Sequence, residues 1–225
     1  MAIETSNLWK ELLRTAGTEK EYQFDIDGII YGSSAEISHH VTNGLFDDMG
    51  IGNARTATLS LTLVADSIPR GATIKRYVRL RNGESVSEWI PKGVFFANRR
   101  SEDDGIWEIE AYDAMRKAEQ VWVPDQSLVF PLPVPAAVSE IVRIIGVNID
   151  SRTTLDPSYT IDYPANEDTL RDELCYIAAA HAGNWIMTDA GELYLVPLIS
   201  APPETNYLVS EFGDVITFGG VRILV

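Results

Sequence analysis

Residues 55–65, RTATLSLTLVA, carry the most regular two-residue periodicity in the chain and decide the fold class. The odd-numbered positions from Ala57 to Leu63 are apolar, whereas the even-numbered positions from Thr56 to Thr62 are threonine or serine. Successive side chains of a strand point to opposite faces. The pattern therefore predicts a β-strand with one face in a core and the other in water.

Similar patterns surround this strand. Residues 21–33, EYQFDIDGIIYGS, alternate and then turn at Asp27-Gly28, and residues 105–115, GIWEIEAYDAM, alternate again. Asn82-Gly83 is a second hairpin dipeptide. About six or seven short antiparallel strands within roughly ninety residues favour a barrel or a sandwich. We predict a mixed, mainly β protein whose first domain, an antiparallel β-barrel, covers residues 21–115.

A short helix within residues 7–14 precedes the strands. Its leucines and a cap at Thr5 or Ser6 predict an amino-terminal helical arm over residues 1–20. An isolated helix of this length is marginal in water, so it must dock on its own body or on a neighbouring subunit.

A smaller α/β domain is predicted for residues 116–200. The proline-rich connector at 121–135 excludes helix, and residues 136–146 have helical spacing that ends at Gly146. A second helix is expected to be capped by Asn166, to carry Glu167 and Asp168 in its first turn and to end at Gly183. The expected buried stripe of this helix is Leu170, Leu174, Ile177 and Ala178. A hairpin is expected to follow, with the strands NWIMTD and ELYLVPL joined by a turn at Ala190-Gly191.

Residues 201–225 are expected to form strands that return to the first domain. The ending GDVITFGGVRILV is strand-like and lacks a polar tail. It indicates a truncated product, or a strand that needs more chain or a partner.

Histidine, cysteine and acidic pairs are the candidates for chemistry. Cys175 and His181 lie six apart on the predicted helix, so their side chains diverge. His39 and His40 would point to opposite faces of a strand and could not share a metal there. We predict that Cys175, which lies in an apolar helical pattern, is a small hydrophobe.

The acidic pairs Asp25 with Asp27, Asp47-Asp48 and Asp103-Asp104 fall on exposed faces or turns, where carboxylates are normally solvated. The sequence also lacks the G-x-S-x-G, H-E-x-x-H, phosphate-loop and dinucleotide patterns, and GIGNAR at 50–55 leads into a strand instead of a helix. We therefore predict no catalytic, cofactor-binding or metal-binding residue.

The composition excludes several classes of function. The formal charge is −15, from 33 acidic and 18 basic residues, which argues against a protein that grips nucleic acid. The amino terminus does not have the order of a signal peptide, and no apolar run of about 18 residues occurs. We expect a soluble protein without membrane insertion, made in the cytoplasm of its host.

Three passages resemble the amino-terminal part of baseplate hub, or tail-associated, proteins of tailed phages and prophages. The resemblance covers roughly residues 8 to 200. Its hallmarks are GIGNA at 50–54, PKGVFF at 91–96 leading to AYDAM at 111–115, and the helix that precedes GNW and LYLVPL.

The resemblance implies tail-tube-like β-barrel domains, a ring-shaped homotrimer and a place in the virion at the tail tip, between the tube and host-contacting proteins. DNA would then pass through the ring without specific binding. An acidic wall would repel DNA over a screening length of about 8 Å.

We therefore expect a non-enzymatic structural subunit. Two alternatives come from other classes. The chain could be a fragment of a peptidoglycan-degrading tail enzyme, which requires a pocket in which two carboxylates, or Cys175 with His181, converge. It could also be a carbohydrate-binding module of the tail tip, which requires Trp89, Trp107 and Trp122 exposed on one surface.

Overall fold

An antiparallel sheet of eight strands, preceded by a short helix, forms the first part of the chain. The structure is a computed structural model that describes residues 4–43, 50–163 and 167–198, together with two short strands at 217–218 and 221–222. The elements of the first part are α1 (Asn7–Leu12), β1 (Glu19–Ile26), β2 (Ile29–Gly32), β3 (Glu36–Thr42), β4 (Thr58–Val64), β5 (Thr73–Asn82), β6 (Ser85–Val86), β7 (Ile90–Asp103) and β8 (Ile106–Tyr112).

Strand β7 belongs to two halves of this sheet. The strand order is β2-β1-β5-β7-β8-β4-β3, with β6 paired to β5. The first part of β7, up to Phe96, pairs with β5, and its second part pairs with β8. A bulge at Asn98 interrupts the second pairing. Because bulges bend and twist a strand, β7 turns from one half of the sheet into the other.

The two halves enclose one apolar core. The alternating residues from Leu59 to Leu63 are all buried, as are Phe24 and Ile74 from the other half. Each fully buried leucine contributes roughly 1.5–3 kcal/mol to folding. The predicted alternation of β1, β4 and β8 is confirmed, and so are the hairpins at Asp27-Gly28 and Gly83.

The sheet is curled, but no ladder closes it over the described residues. Strands β2 and β3 are its two outer strands, and we call the gap between them the seam. Only Ser33–Ala35 connect these strands, so one end of β2 must lie close to one end of β3. The mainly β, antiparallel prediction is confirmed. Closure into a barrel is not found, because the described hydrogen bonds of β3 run to β4 and not to β2.

The amino-terminal helix docks on its own chain. The backbone N–H and the hydroxyl of Ser6 both donate to the carboxylate of Glu88, each at 2.7 Å, and Ser6 Oγ caps the helix by accepting from Trp9 N. Leu12 is buried beside β5. Of the two predicted caps, Thr5 and Ser6, Ser6 is therefore the one that caps α1.

The second part of the chain packs two helices and a hairpin around a separate apolar cluster. Its elements are a 3₁₀ helix (Ala114–Glu119), β9 (Leu132–Pro133), α2 (Val134–Ile145), β10 (Thr160–Ile161), α3 (Leu170–Ala180), β11 (Gly183–Met187) and β12 (Leu193–Pro197). The predicted cap at Gly146 is confirmed by its left-handed backbone. The connector predicted at 121–135 forms no helix up to Pro133, but its last two residues were predicted wrongly, because α2 already begins at Val134. Proline is tolerated in the first turn of a helix, where its missing N–H has no partner to lose.

Helix α3 begins later than predicted. Its cap is Thr169, which forms a capping box with Asp172, so Asp168 precedes the helix. Asn166 lies outside the described residues. At the other end Ala182 takes the positive φ of 48°, and Gly183 already belongs to β11. The predicted stripe from Leu170 to Ala178 is buried as expected.

Residues 201–225 are described only in part. Thr217–Phe218 (β13) pairs with Val221–Arg222 (β14) as a two-stranded sheet. The return of this segment to the first domain stays a prediction.

Candidate functional site: the cluster at the seam and the junction of the two cores

A polar cluster links outer strand β3 to strands β1 and β5. We call Tyr22, Glu36, His39 and Arg76 the seam cluster. His39 Nδ1 lies 2.5 Å from Glu36 Oε1, and His39 Nε2 lies 3.2 Å from Arg76 Nη2. The imidazole also makes an edge contact with the ring of Tyr22 at 4.3 Å. Residues distant in the strand order therefore meet through side chains.

Arg76 is a cation on the inward face of a strand. It has the same parity on β5 as Ile74 and Val78, which are buried, and it lies opposite Phe24 of β1. Its guanidinium carbon is 5.0 Å from the centre of the Tyr22 ring. Its Nε atom is buried and has no hydrogen-bond partner among the described residues.

A bulge in β7 faces this arginine. Arg76 lies opposite Lys92 and Gly93, where the register of β5 and β7 shifts, and Arg76 Nη1 is 3.5 Å from the carbonyl oxygen of Lys92. Gly93 has φ of 121°, and a Cβ there would lie 2.6 Å from the ring of Phe95. Only glycine fits this position. The bulge places the carbonyl oxygen of Lys92 next to the guanidinium of Arg76.

The second feature is the junction between the two apolar cores, where a segment of the first part of the chain extends the hairpin of the second. Gly52 N donates to Gly183 O at 2.9 Å, and Trp185 N donates to Asn53 O at 2.8 Å. Ala54 forms a parallel bridge with Trp185 and belongs to the second cluster. Residues 52–54 thus run beside β11 and pair with it through two backbone hydrogen bonds and an isolated bridge.

Side chains reinforce this junction. The side-chain oxygen of Asn184, a fully buried residue, accepts from Asn53 N at 2.8 Å, and its Nδ2 donates to Gly50 O at 3.0 Å. Gly52 packs on helix α3, since a Cβ at this position would lie 2.9 Å from Ala179 Cβ. Both amide contacts join residues more than 130 positions apart in the chain.

Asp113 lies at the same junction, where β8 leads into the 3₁₀ helix. Its carboxylate accepts from Ala57 N and Met115 N, each at 3.0 Å, and only 5% of the residue is exposed. Burial disfavours the charged form and raises the pKa of this carboxyl to about 7, while the two N–H donors oppose the rise. Asp113 can therefore change charge near neutral pH.

The two adjacent histidines point to opposite faces, as predicted. His39 is directed inward, whereas His40 is exposed. Among residues 4–43, 50–163 and 167–198, no three His, Cys, Asp or Glu side chains come close enough to hold a metal ion.

The acidic pairs lie at turns. Asp25 Oδ1 accepts from Gly28 N at 2.7 Å, and Asp27 Oδ1 accepts from Thr73 N at 2.9 Å. Each carboxylate thus holds the backbone of a turn. Asp103 ends β7, and Asp104 occupies the following turn with φ of 49°. The pair Asp47-Asp48 lies outside the described residues.

Cys175 and His181 contact different parts of the chain. Cys175 is half-buried beside Ala54, and burial raises the pKa of its thiol. His181 Nε2 accepts from Asp156 N at 2.9 Å, and its Nδ1 lies 2.8 Å from the carbonyl oxygen of Ile177. Both ring nitrogens therefore bind backbone groups. Cys175, which we predicted to be a small hydrophobe, is partly buried on α3.

The three tryptophans considered for carbohydrate binding do not share a surface that is free for stacking. Trp122 is only 3% exposed. Arg79 lies 4.4 Å from the ring of Trp89, and Arg100 lies 5.2 Å from the ring of Trp107. Stacked guanidinium groups cover rings that a sugar would need.

The sequence analysis missed the seam cluster, although one signal was available. The run from Ile74 to Leu80 alternates apolar residues with one arginine in the inward row. A cation on the buried face of a strand is costly unless it has a charged or hydrogen-bonding partner. Position 76 could thus have been identified as unusual, but its partner His39 could not.

The fold is one that solved tail proteins also have. The 43 kDa tail protein of prophage MuSo2 from Shewanella oneidensis matches with a TM-score of 0.54 and 10% identity, over 85% of this chain and 58% of that one. The tail protein from Neisseria meningitidis MC58 matches with a TM-score of 0.50 and 12% identity, over 78% of this chain and 50% of that one. This chain thus spans 58% of the length of the Shewanella protein and 50% of the length of the Neisseria protein.

At these identities the likeness concerns the fold. No protein-family model and no curated protein matches the sequence. Within the described residues, the helices are too short or too polar to cross a membrane.

Proposed function

We propose that this chain is a structural subunit of a phage or prophage tail, located in the virion at the tail tip or baseplate hub. The observation that carries the proposal is the shared fold, which extends over 85% of the chain in the MuSo2 comparison. The resemblance of the GIGNA, PKGVFF and LYLVPL passages to hub proteins supports the narrower location.

The proposed mechanism is assembly. Copies of the chain form a ring, a homotrimer, in which the curled sheet acts as the tube-like barrel and continues the tail tube. Outer strands with exposed apolar side chains favour such contacts. Val64 and Ile106 lie directly opposite each other on β4 and β8 and are 50% and 40% exposed. Ile29 and Ile30 are similarly exposed on outer strand β2.

DNA passes through the ring without being bound specifically. We propose that part of the formal charge of −15 lines the central channel and repels the phosphates. The tip of the β7–β8 hairpin, with Glu102, Asp103 and Asp104 exposed, is one acidic surface available for this.

Light scattering of the purified protein over a range of concentrations tests the assembly. We expect the protein to be a trimer, and the variant Ile106→Asp to shift it to monomer, because a charge cannot be buried in an apolar contact. Ser85→Asp, at an exposed position of β6, is the matched control. A protein that is monomeric at every concentration would contradict the ring.

Location is tested on particles. Gold-labelled antibody against this chain should bind the tail tip of phage particles released by the host. Labelling of heads, or of no particle, would contradict the proposed role.

The proposed role is non-enzymatic, and the two alternatives have their own tests. Release of reducing ends or free amines from purified peptidoglycan would favour the enzyme fragment. Retention on immobilised cell-wall polysaccharide would favour the carbohydrate-binding module. The burial of Trp122 argues against the surface that such a module would need.

A further inference from the structure

We propose that the seam cluster is a proton-sensitive contact, which holds outer strand β3 to β1 and β5 at neutral pH and releases it in acid. The inference rests on the geometry of Glu36, His39 and Arg76 and does not depend on the role in a tail.

The contact fixes which nitrogen of His39 carries the proton. A guanidinium has only N–H donors and no acceptor. Arg76 Nη2, at 3.2 Å, must therefore donate to His39 Nε2, which is unprotonated. The remaining proton is on Nδ1 and is donated to Glu36 Oε1 at 2.5 Å. Neutral His39 uses both nitrogens, one for each neighbour.

Protonation changes one of these bonds and keeps the other. A second proton can attach only to Nε2, the atom that accepts from Arg76. Two donors and two positive charges then face each other, and the contact between His39 and Arg76 becomes repulsive. The bond to Glu36 becomes an ion pair and strengthens. Because Glu36 and His39 are both on β3, the remaining bond does not join β3 to the rest of the sheet.

The surroundings of Arg76 do not compensate for this repulsion. The contact between His39 and Arg76 is flanked by Tyr22 from β1, Glu36 from β3 and the carbonyl oxygen of Lys92 from β7. No carboxylate of the described residues lies within ion-pair distance of Arg76, and its buried Nε has no partner there. Among the described residues, the imidazole at 3.2 Å is thus the nearer of two acceptors of Arg76, and the Lys92 carbonyl oxygen at 3.5 Å is the other.

Protonation of His39 removes one link between the strands. The consequence is specific to the seam. Outer strand β3 keeps its ladder with β4 but loses a side-chain link to the other half of the sheet. Acid should therefore loosen the seam without unfolding the apolar core.

Nitrogen NMR of the intact protein tests the protonation state directly. At pH 8, Nδ1 of His39 should be protonated and Nε2 should not. Between pH 8 and pH 5, Nε2 should gain its proton while the signals of Arg76 shift in the same titration. A neutral His39 with the proton on Nε2, or an Arg76 side chain that does not respond, would overturn the proposal.

Hydrogen exchange tests the effect on β3. Protection of the β3 amides, corrected for intrinsic rates, should fall about tenfold from pH 8 to pH 5 as one charge-assisted hydrogen bond is lost. His39→Gln keeps an acceptor and a donor but cannot be protonated, so this fall should disappear. The matched control is His40→Gln, one residue away on the exposed face, which should behave as the unmodified protein. Equal falls in both variants would also overturn the proposal.

Discussion

The buried carboxyl of Asp113 should make the stability of the protein fall as pH rises toward neutrality. Its pKa is raised from 3.8 to about 7, and each unit corresponds to about 1.4 kcal/mol. An acid whose pKa is raised by folding binds its proton more tightly in the folded state. The free energy of unfolding therefore declines from about pH 4 to pH 7, by about 4 kcal/mol from this group alone.

The variant Asp113→Asn isolates this contribution. Asparagine cannot ionise and is also a good helix cap, although one of the two N–H donors then loses its acceptor. Urea unfolding should be measured at several pH values from 4 to 8. As pH rises, the free energy of unfolding of the unmodified protein should fall relative to that of the variant, by up to about 4 kcal/mol. Asp66→Asn, at an exposed loop position, is the control. A difference between wild type and Asp113→Asn that stays constant with pH would refute the reasoning.

Two further predictions concern the second part of the chain. Gly52→Ala should lower the free energy of unfolding by about 2 kcal/mol or more, because φ is +82° and the new Cβ would lie 2.9 Å from Ala179 Cβ. Gly71→Ala is the control, since Gly71 also has a positive φ but no atom within 4 Å of the added Cβ, and it should cost less. Equal losses in urea unfolding would contradict the packing argument. Asp150 is fully covered and held by two hydrogen bonds from the Arg152 guanidinium, which lowers the pKa of its carboxyl. Its contribution to stability is therefore complete above about pH 4 and declines as pH falls further. Asp150→Asn should cost about 2 kcal/mol at pH 7 and less at pH 2, and a loss that is the same at both pH values would contradict it.

Local periodicity predicted most of the elements, because strands and helices with one buried face leave it in the sequence. The alternation from Ala57 to Leu63 and the stripe from Leu170 to Ala178 both correspond to buried faces. The wrong predictions concern the ends of the helices. Thr169 and Asp172 have the spacing of a capping box, and this signal was overlooked in favour of Asn166.

The long-range contacts could not be predicted in this way. Asn53 and Asn184 are separated by 131 positions, and neither residue departs from an ordinary loop or strand pattern. His39 meets Arg76 only because the sheet curls, and curling depends on bulges such as the one at Gly93. A bulge changes register by one residue and leaves little trace in apolar periodicity.

The pairing of residues 52–54 with the β11–β12 hairpin has a consequence for how the molecule denatures. Ala54 fills part of the second apolar cluster, yet the chain around it continues into β4 of the first. Heat or protease cannot expose one cluster without removing backbone partners from the other. The chain should therefore melt in a single transition, and residues 116–198 expressed alone would lack the backbone partners of Gly183 and Trp185 in β11.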